Sequence, residues 1–428
     1  MIDPKLLKEN PRLIEDMLKK RKLIDFPLDE LLHLDKRRKE IISNVEEAKY
    51  ERNTLAHSIA LKKKSQVDTT EEIRLMKGIG VEISNLEREK IAVEARYLHL
   101  MMLLPNIIFE SVPLGKDAGD NIIVKKNGTM RKFDFKPKDH IDIATSLDLI
   151  DIERAAKIAG ARFYFLKNDL VRMNQALMHL ALDLLSKNGY TLAQPPYMIR
   201  KKAMEGAIIL SDFENVIYKI EGDDLYLIGT SEHAMASMHM NEILDGRKLP
   251  MRYAGVSPCF RKEAGAHGKD MKGIFRVHQF EKVEQFVYSR PEYSADEHER
   301  MLVVAEEFYE KLGIPCRVML LCSGELGKIS AKTYDIEAWM PGQNAYREIV
   351  SCSNCVDYQA RRLHVRFRDR TNEKTQLVHT LNSTLVATER TIVSIIENYQ
   401  TNRGTIEVPY ILQKYMDDKR EISLNPTI

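Results

Sequence analysis

From Leu28 to Lys77 the chain contains neither glycine nor proline and is dense in Glu, Lys, Arg, Leu and Ile. Such a segment has little choice but helix, because the residues that interrupt helices are missing and those that propagate them dominate. Its pattern narrows the fold further. Leu34, Ile41, Val45, Ala48, Leu55 and Ile59 advance in steps of 7, 4, 3, 7 and 4, with Arg38 and Arg52 at the skipped core positions. Met76, Ile79, Ile83, Leu86, Lys90, Val93, Tyr97 and Leu100 alternate steps of 3 and 4 throughout. Both runs have the heptad period of two helices packed along a seam.

The joint between them, Lys64 to Thr70, is short and polar, which predicts an antiparallel two-helix coiled coil. Thr69 and Glu72 fit a capping box for the second helix, and Pro105 ends it. At about 1.5 Å per residue, the stretch from Leu34 to Lys64 makes an arm of roughly 45 Å. An arm of that length is not buried in a domain of this size, so it must reach something. Lys62, Lys63 and Lys64 lie near its tip and Arg37, Arg38 and Arg52 along it, a basic strip of the kind that meets phosphates. An ordinary solvated coiled-coil face carries the same charges.

The 428 residues leave room for two or three domains. The most apolar stretch, residues 97–109, is cut by His99, Pro105 and Asn106 and falls short of the roughly 18 residues a membrane-spanning helix needs. The opening Met1-Ile2-Asp3-Pro4-Lys5 lacks the apolar region of a targeting peptide, and five cysteines cannot build a disulfide framework. Both point to a reducing, cytoplasmic setting. A formal charge of +2 confines any nucleic-acid binding to local patches such as the arm.

After Pro105 glycines and prolines recur and helical and strand-like runs mix. Residues 1–108 therefore read as a helical domain carrying the arm, and residues 109–428 as one α+β domain. The usual nucleotide loops are missing: there is no GxxxxGK[ST] and no GxGxxG after a strand. The densest chemistry lies between Met251 and Val287. Two alternating runs flank a glycine-punctuated loop at 264–273. The returning run puts Arg276, His278, Phe280, Lys282, Glu284 and Phe286 on one side. Guanidinium forks, a stacking ring and carboxylates suit a nucleotide. Charged strands pairing across a hairpin account for the same face.

This hairpin resembles motif 2 of the class II aminoacyl-tRNA synthetases. Phe260-Arg261-Lys262-Glu263-Ala264-Gly265, followed by residues 276–284, is similar to the seryl-tRNA synthetase version. Other blocks agree in order and spacing. Thr230-Ser231-Glu232 resembles that family's TxE loop, and Glu348-Ile349-Val350-Ser351 its strand before the last catalytic segment. Asn382-Ser383 through Arg390-Thr391 resembles motif 3. Gly189-Tyr190 to Pro195-Pro196 resembles motif 1, and the N-terminal hairpin the family's tRNA-binding arm, so the likeness covers nearly the whole chain. Motif 3 departs from many bacterial members in having lost its glycines.

The resemblance implies an antiparallel sheet flanked by helices and a homodimer formed through the motif 1 region. It implies ATP-dependent activation of L-serine with Mg²⁺, followed by transfer to serine tRNA, with selenocysteine tRNA a further expected acceptor. Arg261, Arg390 and Glu348 are then the catalytic candidates, the arginines on phosphates and the serine carboxylate. Serine is expected at Thr230, Ser231, Glu232, Arg261, Glu284 and Ser383, with Glu284 and Ser383 on its hydroxyl and Thr230 and Glu232 on its ammonium. ATP is expected at Arg261, Lys262, Glu263, Val277, His278, Gln279, Phe280, Glu348, Ile349, Val350, Ser351 and Arg390, with Phe280 stacking on adenine beside Glu263. Glu348 and Ser351 are the expected Mg²⁺ ligands, since magnesium takes a few hard oxygens beside phosphates and waters. The arm residues Arg37, Arg38, Arg52 and Lys62 to Lys64 are the expected tRNA contacts. Two rival readings are an aminoacyl carrier-protein ligase, which has no use for a basic arm, and a catalytically inert RNA-binding paralogue. Cys352 and Cys355 form a CxxC with no second pair, which favours structural thiols over zinc.

Overall fold

The heptad segments are helical over nearly their whole length: α1 spans Leu28–Lys64 and α2 spans Thr70–Leu103. In this computed structural model, residues 1–263 and 273–424 are described, so residues 264–272 of the expected hairpin loop lie outside them. The chain divides into two units, Ile2–Pro105 and Asn106–Ile428 together with Met1.

Within the first unit, α1 has 37 residues, which at the helical rise is about 55 Å. Leu31, Ile41, Val45, Ala48 and Ile59 of α1, and Ile83, Tyr97 and Leu100 of α2, form its buried stripe. Arg38 sits at a core position of this seam. Its guanidinium lies 4.8 Å over the Tyr97 ring and 3.4 Å from buried Asp35, which supplies the opposite charge. Ion pairs Arg96–Glu30 at 2.6 Å, Arg37–Glu89 at 2.7 Å and Lys49–Glu87 at 2.7 Å tie the helices together, the α2 partner falling earlier as the α1 partner falls later, as an antiparallel register requires. The expected capping box is not made. Thr69 offers no side-chain cap, Asp68 Oδ1 accepts from the Thr70 amide at 3.1 Å instead, and Glu72 pairs with Lys62. Asp68 prevails because its short carboxylate reaches the first free amide two residues on, whereas Glu72 finds a cation on α1.

The second unit is built on an eight-stranded sheet: β1 (Ile122–Asn127), β2 (Thr191–Ala193), β3 (Met251–Phe260), β4 (Gln279–Ser289), β5 (Cys316–Leu320), β6 (Lys332–Met340), β7 (Ala345–Asn354) and β8 (His379–Ala387). Their spatial order is β1–β5–β6–β7–β8–β4–β3–β2. Every neighbouring pair is antiparallel except β2 with β3, which is parallel. Five helices frame the site: α3 (Asp169–Lys187), α4 (Ser231–Ser237), α5 (Ser294–Lys311), α6 (Tyr358–Leu363) and α7 (Thr388–Asn398).

Strand alternation divides β4 between two environments. Val283 and Val287 join a core with Leu177 of α3, Phe308 of α5 and Ile392 of α7. Phe286 and Tyr288 face the other way, into a core with Met235 of α4 and Leu363 of α6. Lys282 and Glu284 share this second parity and line a polar cavity. One face of the sheet thus packs on α3, α5 and α7, and the other carries α4, α6 and the polar cavity. The expected return run from Ile274 is strand only from Gln279 onward. Ile274, Phe275 and Val277 are all buried, so core packing replaces alternation there.

Candidate active site

Local chain geometry assembles the cavity from five segments. β3 and β4 pair from Met251↔Tyr288 to Phe260↔Gln279, and the Arg261 amide then bonds His278 O at 2.9 Å as the hairpin leaves the sheet. Arg261 Nε donates to Gly229 O at 3.0 Å, and its guanidinium lies 5.3 Å over the Phe280 ring. The segment before α4 brings Thr230, whose Oγ1 caps the helix by accepting from the Glu232 amide at 3.2 Å. Helix α4 can sit against β3 because Gly255 has no side chain: a Cβ there would meet Ser231 Oγ at 2.7 Å.

Two β-bulges aim the remaining groups. On β7 the register slips at Ile349, since Ile336 pairs with Val350 and Glu337 with Glu348. Residues three apart normally point to opposite faces of a strand, but one extra residue restores the parity, so Glu348 and Ser351 face the same cavity. On β8 the slip falls at Leu385, and Asn382, Thr384 and Ala387 all face inward. Helix α7 starts at once after β8, placing Arg390 in its first turn, where helix-end amides also favour anions.

The result is a cavity of about 310 Å³ lined by Thr230, Glu232, Arg261, Phe280, Lys282, Glu284, Glu348, Ile349, Ser351, Asn382, Thr384 and Arg390, among others. One end is carboxylate-rich. Glu232 Oε1 accepts from Gln359 Nε2 at 2.9 Å, and Glu284 Oε2 takes the Lys282 ammonium and the Thr384 hydroxyl, the latter at 3.3 Å. Burial, then the neighbouring Glu284 charge, pushes the Glu232 carboxyl up to about 7. The other end is held by Arg390, whose Nη1 is 3.1 Å from Glu348 Oε1 and whose guanidinium lies 5.2 Å over Phe275. Beside it Asp335, opposite Ser351 in the ladder, is pushed well above the usual carboxylate range by burial and by Glu348, and its Oδ1 has no hydrogen-bond partner.

Nine of the expected residues thus share one cavity: Thr230, Glu232, Arg261, Phe280, Glu284, Glu348, Ile349, Ser351 and Arg390. The others line its walls from behind or point elsewhere. Ser231 Oγ is spent on Gly255 O at 3.2 Å. Lys262 Nζ lies 5.7 Å from the Tyr218 ring, and Glu263 faces Arg276 at 3.4 Å. His278 stacks on Phe163 at 4.8 Å with Nδ1 at 2.8 Å from Arg261 O, so it braces the hairpin end. Val277 and Val350 are core residues, and Gln279 faces a smaller recess with Phe163 and Tyr164. Ser383, expected on the serine hydroxyl, is fully buried with Oγ on Thr384 O at 3.1 Å, and its neighbour Thr384 lines the cavity.

Lys282, Asn382 and Thr384 also line the cavity, although the resemblance assigns them no role. Alternation on β4 did place Lys282 beside Phe280 and Glu284, which was the available signal. For Thr384 the loss of the motif 3 glycines hid the register. The five cysteines are free and buried, and burial pushes the Cys352 thiol up to about 12. Among the described residues no three His, Cys, Asp or Glu side chains gather as a metal site. On the arm, Arg37, Arg38 and Lys62 are already in ion pairs, whereas Lys63 and Lys64 are exposed.

An antiparallel sheet with a parallel edge strand, a motif 2 hairpin and an arginine opening the helix after β8 define the class II aminoacyl-tRNA synthetase core. Residues 215–399 match the family described as the tRNA synthetase class II core domain (G, H, P, S and T), and residues 1–108 match the seryl-tRNA synthetase N-terminal domain. A serine–tRNA ligase of Nitrosopumilus maritimus is 62% identical over 422 residues, covering 99% of this chain and all of that one. The crystal structure of seryl-tRNA synthetase from Pyrococcus horikoshii complexed with ATP superposes with a TM-score of 0.95 at 46% identity, covering 100% of both chains. The cytoplasmic enzyme of Naegleria fowleri in complex with AMP gives 0.89 at 36% identity, over 100% of this chain and 99% of that one. The chain belongs to the seryl-tRNA synthetase family.

Proposed function

We propose that this protein is a serine–tRNA ligase that activates L-serine with ATP and passes the seryl group to the 3′ end of serine tRNA. One observation carries the reading: a single cavity has a carboxylate pair at one end, two arginines along it and a hard-oxygen pair at the other. In the first step a serine carboxylate oxygen attacks the α-phosphorus of ATP and pyrophosphate leaves, giving seryl-adenylate. A terminal ribose hydroxyl of the tRNA then attacks the seryl carbonyl and AMP leaves.

The protein's part in the first step is positioning and charge neutralisation, with no general base needed for an already ionised carboxylate. Arg261 sits between the two ends and neutralises both the serine carboxylate and the α-phosphate. Phe280 offers its ring to the adenine. Thr230 and Glu232 receive the ammonium, and Glu284 with Thr384 the hydroxyl. A site built to bond that hydroxyl rejects alanine, because its own buried groups would be left unpaired. Arg390 takes the outer phosphates.

Glu348 and Ser351, with the unpartnered Asp335 oxygen nearby, are hard-oxygen donors that would hold Mg²⁺. Bound there, the ion would supply Lewis-acid neutralisation of the phosphate oxygens. We further assign a homodimer through residues 189–196, supported by β2 lying at the sheet edge with Leu192 exposed. Serine tRNA is assigned to the arm, through Lys63 and Lys64 first, reading backbone shape more than base edges. No helix among the described residues is long and apolar enough to cross a membrane, and a cytoplasmic location suits an enzyme of translation with unpaired thiols.

The test is amino-acid-dependent ATP–pyrophosphate exchange with all twenty amino acids and no tRNA. Exchange with serine alone is the expected outcome. No exchange favours the inert paralogue, and exchange with another amino acid overturns the assignment of the carboxylate end.

A further inference from the structure

The cavity contains a lysine that the reaction does not obviously use. Lys282 lies on β4 between Phe280 and Glu284, and its side chain is only 7% exposed. Its cross-strand neighbours are Ser257 on β3 and Ala387 on β8, both small, so its stem meets no large side chain in the ladder. Two residues on, Glu284 is flanked in the same way by Gly255 and Thr384. The lysine ammonium is ion-paired with Glu284 Oε2, the same oxygen that accepts from Thr384 Oγ1 at 3.3 Å.

A buried ammonium is costly unless it is paired and its geometry is useful. A structural pair would serve anywhere on the sheet. This one sits at the carboxylate end of the cavity and fixes one oxygen of the residue assigned to the substrate hydroxyl.

We propose that Lys282 is a positioning residue for serine recognition, holding Glu284 by one oxygen so that the other is directed at the amino-acid substrate. The proposal rests on the reading of Glu284 as the hydroxyl contact. Lys282 does not itself touch the reacting atoms, so its effect should fall on serine and not on ATP.

The test is exchange kinetics on Lys282→Met, Lys282→Arg, Glu284→Gln and the Lys282→Met/Glu284→Gln double variant. Lys282→Met is expected to raise the KM for serine by about tenfold or more, the usual worth of a hydrogen bond to a charged group. The KM for ATP should stay within about twofold, and the preference for serine over alanine should fall. Lys282→Arg, which keeps the charge, should recover part of the loss. In the Glu284→Gln background the lysine change should add little, because its route to the substrate is gone. If Lys282→Met loses its cooperative melt, Lys282→Gln takes its place in every comparison. An unchanged serine KM, an equal rise for ATP and serine, or full additivity in the cycle overturns the proposal. Should Glu284→Gln itself leave serine binding untouched, the underlying reading of the cavity fails instead.

Discussion

Arg390 Nη1 lies 3.1 Å from both Oε1 and the main-chain oxygen of Glu348, joining the first turn of α7 to the bulge on β7. Burial works against the guanidinium charge, yet Glu348 and Glu389 hold its pKa above the ordinary arginine value. The arginine is therefore oriented before any phosphate arrives, which is the preorganisation an electrostatic catalyst needs.

Arg390→Ala is accordingly expected to lower the serine-dependent exchange rate by about 10²–10³, the usual cost of removing one preorganised donor from a transition state. Binding of tRNA should be unaltered, since the arm does not involve this residue. Exchange within a few-fold of wild type would remove Arg390 from the phosphate site.

Glu232 provides a pH signature. Its carboxyl is pushed up to about 7, first by burial and then by Glu284, against Lys282, Gln359 and Arg261. An ammonium needs the ionised form, so kcat/KM for serine should fall as pH drops below about 7, approaching one decade per unit. Glu232→Gln should flatten that limb. The same raised value makes a stability statement. The group favours the folded state below the unfolded carboxyl value and loses that contribution as pH rises through the folded one. Glu232→Gln should thus stabilise the protein at pH 8 by about 3 kcal/mol, from the shift at 1.36 kcal/mol per unit, and leave it unchanged near pH 4. Urea unfolding at the two pH values measures this.

Serine recognition separates two adjacent hydroxyls. Thr384→Val removes a group that points into the cavity and bonds Glu284, so the KM for serine should rise about tenfold. Ser383→Ala removes a group turned to the other face of β8, so any effect should fall on stability. If Ser383→Ala raises the serine KM and Thr384→Val does not, the register drawn for β8 is wrong.

The contrast between those residues marks how far the sequence can be read. Heptad steps disclosed α1 and α2 because a 3.5-residue period needs no knowledge of partners. The alternation of Phe280, Lys282 and Glu284 was equally legible on β4. What stayed hidden was parity at the bulges: one unpaired residue at Ile349 and another at Leu385 change which side chains meet, and neither leaves a glycine as a clue. His278 and Lys262 fall inside the motif, and their side chains meet Phe163 and Tyr218, far away in sequence, which spacing alone does not disclose. Residue type and spacing found the neighbourhood of the site; the fold decided which member of each pair faces it.

The arm makes a prediction that isolates its charge. Because Arg37, Arg38 and Lys62 already have carboxylate partners, Lys63 and Lys64 are the basic residues at the tip best placed to meet phosphates. Phosphate contacts of this kind release counterions, so each contributes to the salt dependence of binding. Lys63→Ala/Lys64→Ala should weaken serine tRNA binding about tenfold at low salt and reduce the slope of log affinity against log salt by about 1 to 2. Exchange without tRNA should be unaffected. Deleting residues 36–98 should go further, abolishing charging while adenylate formation continues. Normal charging by that deletion would mean that tRNA is held by the catalytic unit alone.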